Sequence, residues 1–368
     1  MPRQEQTRRV AKILLILDKC GPGEAIRVAP MLAAVRLAHP AAKIDLLVGE
    51  QAYPLFAHDD RFDKVVLSLL YERRHRRLPR LWAALTACAL IARLGLGYDL
   101  VITYLWGSSW LNLIAGAVGR GRRIGYRHRF PGLLTSDLGT YGNRGDIPAN
   151  LRLLEAARIS PPDSRSPLAL VPDEGAVEAA SRLLTARGRR QKGPLVVMHT
   201  GSDWGCQQWL PARWAALADR VVEEHDADVV FTGLASEVGY VEHIRAKMRL
   251  ASLSIAGETS LSQLAAVIAL ADLCVTVDSV AHDMAQGLGT PTVVLAGPSR
   301  PEVAAGGQLR VVNGSSAELQ RTILDCQEHF PSGFCHDYSC PWAGLRHITV
   351  EAVAERITLT PRAAAHER

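Results

Sequence analysis

Short apolar runs rich in β-branched residues alternate along the chain with longer segments whose apolar positions recur every three to four residues. The first half predicts strands over residues 12–17, 44–48, 65–67 and 100–104, and helices over 25–38, 81–94, 111–118 and 150–157. The second half restarts the pattern. It predicts strands over 195–199, 228–232, 273–277 and 292–296, and helices over 212–224, 240–248, 261–270, 282–288 and 350–357. Strands that are apolar throughout, rather than at every second position, belong in parallel sheets buried on both faces. The β-α-β-α order gives the same class, α/β. Pro161, Pro162, Pro167 and Pro172 mark a connection between the halves. The expected division is a Rossmann-like domain over 1–160, a linker over 161–193, a second Rossmann-like domain over 194–345, and a terminal helix and tail over 346–368. The two domains are expected to face each other across a cleft.

Composition narrows the class. The chain has 368 residues, enough for two α/β cores. Its 48% hydrophobic and 21% charged residues are ordinary for a globular protein. The net charge of +5 permits an anionic ligand or membrane surface. No nucleic-acid-binding signature accompanies it. The longest apolar stretch, residues 81–96, is broken by Thr86 and Arg93 and falls short of a bilayer span. Residues 1–9 are polar and the apolar run after them is too short for a signal peptide, so a cytoplasmic location is expected. Of seven cysteines, Cys20, Cys88, Cys206 and Cys274 are scattered, which argues against a disulfide framework. Cys326, Cys335 and Cys340 cluster with His329 and His336 at a spacing that fits no zinc ribbon or finger, so reduced thiols are expected.

The most informative stretch is residues 271–302, ADLCVTVDSVAHDMAQGLGTPTVVLAGPSRPE. It reads as strand, tight turn, helix, Gly-Thr-Pro turn, strand and Gly-Pro-Ser loop. Asp278 and Ser279 sit where the strand ends and the helix begins. A helix N-terminus there offers unpaired N–H groups and a positive dipole end, which suits a phosphate. In open α/β sheets, ligands bind beyond the carboxyl ends of the strands. A phosphorylated ligand, such as a nucleotide, is therefore expected.

Several segments, in order, resemble glycosyltransferase family 9, the ADP-heptose:lipopolysaccharide heptosyltransferases and their relatives. They are KILLILDKCGPGEAIRVAPMLAAVRLAHPAAKIDLLV, NLRLLEAARI, HTGSDWGCQQWLPARWAALADRV and SIAGETSLSQLAAVIALADLCVTVDS. The resemblance covers roughly residues 12–301 and implies the GT-B fold, with the donor held mainly by the second domain. It implies inverting transfer of a sugar from a nucleotide donor to an acceptor hydroxyl, without a metal or other cofactor.

The resemblance places Glu24, after Gly23, where the family has the Asp proposed as acceptor base. A base must come within hydrogen-bond reach of the hydroxyl. Gln207 stands where the family has a Lys thought to neutralise the departing phosphates. Lys19, Arg27, Arg127, Arg129 and Arg300 are candidate substitutes for its charge. Trp209 and Trp214 keep the family spacing and are expected to pack. Ser202 could donate to a phosphate, whereas Asp203 would repel one. Glu237 follows a strand and can accept from ribose hydroxyls. Thr259 lies in the Gly-x-Thr-Ser-Leu segment of the donor side. Asp278 and Ser279 match the family turn, in which Val280 replaces a glycine. Valine disfavours positive φ and would obstruct close phosphate approach. The family His maps to Asp283, with His282 one residue before it. Pro298 and Ser299 are expected at the rim.

The implied function is transfer of a heptose or related sugar, from ADP-heptose first of all, to a glycan, lipopolysaccharide-type or antibiotic acceptor. The basic run over residues 71–80, YERRHRRLPR, could hold an anionic acceptor or rest on the inner membrane face. The departures at Glu24, Gln207, Val280 and Asp283 keep two alternatives open. One is a catalytically impaired nucleotide-sugar-binding homologue or partner subunit. The other is a nucleotide-sugar epimerase on the same fold.

Overall fold

The computed structural model describes residues 10–18, 20–70, 79–104, 108–127, 129–140, 146–161, 170–190, 192–202, 207–297, 309–313 and 344–359. The chain divides into two compact units, Met1–Ala169 and Leu170–Arg368.

The first unit carries strands β1 (Lys12–Leu17), β2 (Lys43–Gly49), β3 (Lys64–Ser68), β4 (Tyr98–Thr103), β5 (Gly119–Gly125) and β6 (Ser136–Asp137). Its helices are α1 (Pro22–Ala38), α2 (Tyr53–Phe56), α3 (Pro79–Leu94), α4 (Ser109–Val118) and α5 (Asp146–Ala157). The strands form one parallel sheet in the order β3-β2-β1-β4-β5-β6. From Ile13 to Leu17, β1 is buried on both faces, as its unbroken apolar run requires.

The second unit carries β7 (Leu195–His199), β8 (Asp228–Thr232), β9 (Leu253–Ser254), β10 (Leu273–Val277), β11 (Thr292–Ala296) and β12 (Leu309–Asn313). Its helices are α6 (Glu174–Ala186), α7 (Pro211–His225), α8 (Val238–Arg245), α9 (Leu261–Leu270), α10 (Val280–Gly287) and α11 (Val350–Ala354). The strand order is β12-β11-β10-β7-β8-β9, again parallel. The core gathers Val196, Met198, Trp209, Trp214, Phe231 and Val275.

The short elements α2, β6, β9 and β12 were not expected from the sequence, and three further departures bear on the architecture. Residues 174–186, expected inside the linker, form α6, which packs on α9 within the second unit. Asp173 caps α6 by accepting from the Ala176 N–H at 2.9 Å, and Ala176, Ala180 and Leu184 form its buried face. Leu345, Ile348 and Val353, expected at or beyond the end of the domain, lie in the second core. Finally, β5 went unpredicted because GRGRRIG holds one apolar residue. Gly121 must be glycine there, since a Cβ would collide with the Asp99 carbonyl oxygen of β4.

Candidate functional site

Each sheet has one place where the chain reverses its direction of travel across the strands. In the first unit it lies between β1 and β4, and in the second between β7 and β10. Doubly wound sheets bind ligands in the crevice outside the carboxyl ends of such strands.

At the second switch point, β7 ends at His199 and β10 at Val277, and Thr276 pairs with His199 across the two. The His199 ring is buried and its Nδ1 lies 2.9 Å from Thr232 Oγ1 on β8. Burial pushes its pKa down to about 4, so the imidazole stays neutral at physiological pH. Thr200 follows, with a buried Oγ1 that makes no hydrogen bond. The Ser202 hydroxyl donates to Gln207 Oε1 at 2.7 Å. Gln208 Nε2 donates to the Ser202 carbonyl at 3.3 Å. The loop carrying Ser202 is thus folded back on the turn that carries Gln207.

On the β10 side, Ser279 is the N-cap of α10 and has extended backbone. Its hydroxyl lies 3.1 Å from Thr276 Oγ1 and does not cap the helix. Asp278 Oδ1 lies 3.4 Å from His282 Nδ1. His282 Nε2 lies 2.6 Å from the Gln286 amide nitrogen, and Asp283 Oδ1 is 3.9 Å from His282 Nδ1. His282 and Asp283 are both buried beneath the turn rather than at its surface. Val280 is the first helical residue and is absent from the positive-φ positions, which among the described non-glycine residues are Phe130, Arg158 and Asp226. The expected conformational conflict at Val280 therefore does not arise.

Glu237 spans from β8 to β7. Its Oε2 accepts from the Leu234 N–H at 2.7 Å, and a Cβ on Gly201 would collide with its carboxylate. Gly201 is thus the residue that lets this carboxylate reach the end of β7. Thr259 is half-buried, just before Ser260, the N-cap of α9. Trp209 and Trp214 are buried edge to face, with centroids 5.2 Å apart, so they serve packing.

In the first unit, Gly23 and Glu24 occupy the first turn of α1. Glu24 Oε2 accepts from the Gly21 N–H at 2.7 Å, which ties the carboxylate to the start of its own helix. Asp18, which closes β1, was not singled out by the sequence. It is 6% exposed, and its Oδ2 makes no hydrogen bond. Ser68, at the end of β3, hydrogen-bonds to its carboxyl group. Burial raises its pKa to about 6, against the lowering effect of that bond. Gly49 at the end of β2 lets the backbone approach Asp18 closely, since a Cβ there would collide with the Asp18 carbonyl oxygen. A single acid after an apolar run gives no sequence pattern. Its setting appears only when β2 and β3 pack beside β1.

Thus Ser202, Gln207, Glu237, Asp278, Ser279 and Val280 gather around the carboxyl edge of β7, β8 and β10, with His282 and Asp283 beneath. Gly23 and Glu24 belong to the other unit. Among the candidate cations, Arg127 pairs with Asp137 at 2.7 Å and Arg129 lies over the Phe130 ring. Lys19, Asp203, Pro298, Ser299, Arg300 and residues 71–78 lie outside the described residues, as do Cys206, Cys326, Cys335, Cys340, His329 and His336.

Residues 87–326 match the family model for glycosyltransferase family 9 (heptosyltransferase). The chain belongs to glycosyltransferase family 9. A curated relative, lipopolysaccharide heptosyltransferase 1 of Pseudomonas aeruginosa, is 32% identical over 149 residues. That stretch is 40% of this chain and 38% of the relative's length. Among solved structures, a family 9 glycosyl transferase from Veillonella parvula superposes with a TM-score of 0.78 at 20% identity, covering 95% of this chain and 96% of that one. The E. coli ADP-heptose lps heptosyltransferase II gives 0.64 at 21% identity, covering 83% of this chain and 92% of that one. These likenesses carry the GT-B fold class. In this family 9 chain, Ser202 and Gln207 form a neutral hydrogen-bonded pair beyond the end of β7.

Proposed function

We propose that this chain is an inverting, metal-independent glycosyltransferase that moves a heptose or related sugar from ADP-heptose to a hydroxyl of a lipopolysaccharide-type or other glycan acceptor. The observation that carries this reading is the carboxyl edge at the β7–β10 switch point of a family 9 chain. There the hydroxyls of Thr200, Ser202 and Ser279, the Gln207 amide and the start of α10 are assembled from separate strands. Such donors suit a diphosphate, and they act on the leaving group by hydrogen bonding rather than by a full charge. The Glu237 carboxylate is an acceptor suited to ribose hydroxyls.

A thermal-shift and calorimetry panel of ADP, GDP, UDP, CDP and their sugars tests the donor assignment. ADP-heptose is expected to bind selectively, and saturation at a hundred times its dissociation constant stabilises the protein by about 2.7 kcal/mol. Selective binding of a different nucleotide would replace the donor, and no binding at all would remove the transferase reading.

On the acceptor side we assign the base to Glu24. The Gly21 hydrogen bond holds its carboxylate in one orientation. With ADP-heptose and heptose-free lipopolysaccharide, Glu24→Gln is expected to lower turnover by about 100-fold or more while donor binding persists. Full turnover in that variant would remove Glu24 from the role. The neutral Ser202–Gln207 pair favours one second reading, a donor-binding homologue without transferase activity. It predicts donor binding with no product. We place the chain at the cytoplasmic face of the membrane, contacting it through the basic segment 71–80.

A further inference from the structure

The apolar layer between the first sheet and α4 ends in a row of polar atoms. Leu14 and Ile16 of β1, Val66 of β3 and Val101 of β4 share one core with Leu111, Ile114 and Ala115 of α4. Side chains two residues apart along a strand share a face. Two residues on from Ile16, Val66 and Val101 stand Asp18, Ser68 and Thr103, at the carboxyl edge of the same face. The hydrogen bond from Ser68 to the Asp18 carboxyl group agrees with this placement. Helix α4 follows β4 and so begins at that edge, and Asn112 lies near its start. Asp18 is 6% exposed, and Ser68, Thr103 and Asn112 are 2% or less. Asp18 Oδ2, Thr103 Oγ1 and both amide atoms of Asn112 make no hydrogen bond.

Buried polar atoms are as a rule paired, and a buried carboxylate is paired with a cation. The described residues supply no cation to Asp18. The unpaired atoms therefore describe a ligand. They comprise three acceptors from three separate elements, Asp18 Oδ2, Thr103 Oγ1 and Asn112 Oδ1. A primary ammonium carries three donors, no acceptor and one positive charge. Water could satisfy the hydroxyl and the amide, but it would leave the Asp18 charge uncompensated. Among the described residues no three His, Cys, Asp or Glu side chains gather as a metal ion would need. The Asn112 amide nitrogen is left to donate to a neighbouring oxygen of the same ligand.

We infer that Asp18, Thr103 and Asn112 form a subsite that binds a primary amine beside a hydroxyl, and so selects an amino sugar as acceptor. This rests on the reading above in placing the acceptor on the first unit. The subsite lies at the first switch point, where β1 and β4 lead away in opposite directions. The connection that starts at Asp18 leads to Glu24 in the first turn of α1.

Titration calorimetry of the full chain at pH 7 with glucosamine, N-acetylglucosamine and glucose tests it, because these sugars differ at one carbon only. Glucosamine is expected to bind at least tenfold more tightly than the other two. At pH 5 its binding should weaken, since Asp18, with a pKa of about 6, is then largely protonated and uncharged. Asp18→Asn is expected to abolish the preference for glucosamine. Thr103→Val removes one acceptor, keeps the shape of the side chain and should weaken glucosamine severalfold. Thermal transitions of both variants check their folds. Equal binding of the three sugars, or binding of none, overturns the proposal. A preference that survives Asp18→Asn also overturns it, because the amine is then read elsewhere. Unchanged glucosamine affinity in Thr103→Val counts against the subsite independently of Asp18. A separate titration reads ADP-heptose binding. Failure of the transferase reading shows there, and failure of the subsite shows only in the amine preference.

Discussion

Replacing Asp18 by asparagine should stabilise the first unit by about 3 kcal/mol at pH 7 and give much less gain near pH 4. The cause is the cost of holding a carboxylate at the buried end of β1. Its pKa is raised to about 6 from a reference of 3.8. Below the reference value the group is protonated in both folded and unfolded chains and imposes no penalty. As pH rises from about 4 to 6, the unfolded chain ionises first, so this part of the stability is lost. The loss is complete above the folded value. Asparagine stays neutral throughout and keeps an oxygen for Ser68, so it avoids the loss. Urea unfolding of wild type and variant at pH 4 and pH 7.5 checks this. An equal gain at both pH values would show that charge burial is not the source. A carboxyl kept at that cost at a switch point has the placement expected of a functional group.

Trp209→Ala should destabilise the second unit by about 3–5 kcal/mol. The indole is buried edge to face against Trp214. Its Nε1 donates to the Ile348 carbonyl at 3.0 Å, which ties the segment before α11 to the loop before α7. The Tyr240 hydroxyl also donates to the Trp209 carbonyl. Trp209→Phe keeps most of the ring but removes the indole donor. It should cost only about 1 kcal/mol from the lost hydrogen bond. The Ile348 carbonyl stays satisfied in that variant, because Arg213 Nη1 also donates to it at 2.5 Å. Urea denaturation read by the remaining tryptophans separates the two. Equal losses in both variants would mean that the hydrogen bond, not the packing, holds the segment.

Much of the architecture was legible in the sequence. β7, β8, β10, β11 and α9 lie at the predicted bounds, because each strand is a five-residue run that polar or turn-forming residues close off. Helix α6 was missed although its signals were present, since the prolines before it drew the whole segment into a linker. Strand β5 carried no such signal. Arg122 donates to the Ala157 carbonyl and Arg123 to the Leu133 carbonyl, so a polar sequence is held there by side-chain bonds rather than by apolar contacts. The residues at the second switch point were recognisable singly as strand ends and motif matches. That β7 and β10 are neighbours was not, because strand order is a long-range property. This is why His199 and Thr200 went unnoticed. The positive-φ part of the Val280 expectation failed for a local reason: the turn is made by Asp278 and Ser279 in ordinary backbone, so the backbone conformation there does not demand a glycine.

The two sheets share one wiring diagram: counted along the chain within each unit, both read third, second, first, fourth, fifth, sixth strand. In the first unit the connection after the first strand bears the candidate chemistry, and in the second those after its first, second and fourth strands do, while the strands themselves carry the load of folding. Mutation can therefore rewrite either set of connections without disturbing the scaffold of the other half. A chain built this way is free to alter the ligand contacts of one half and of the other in separate evolutionary steps, and Glu24 and Gln207 fall one in each half.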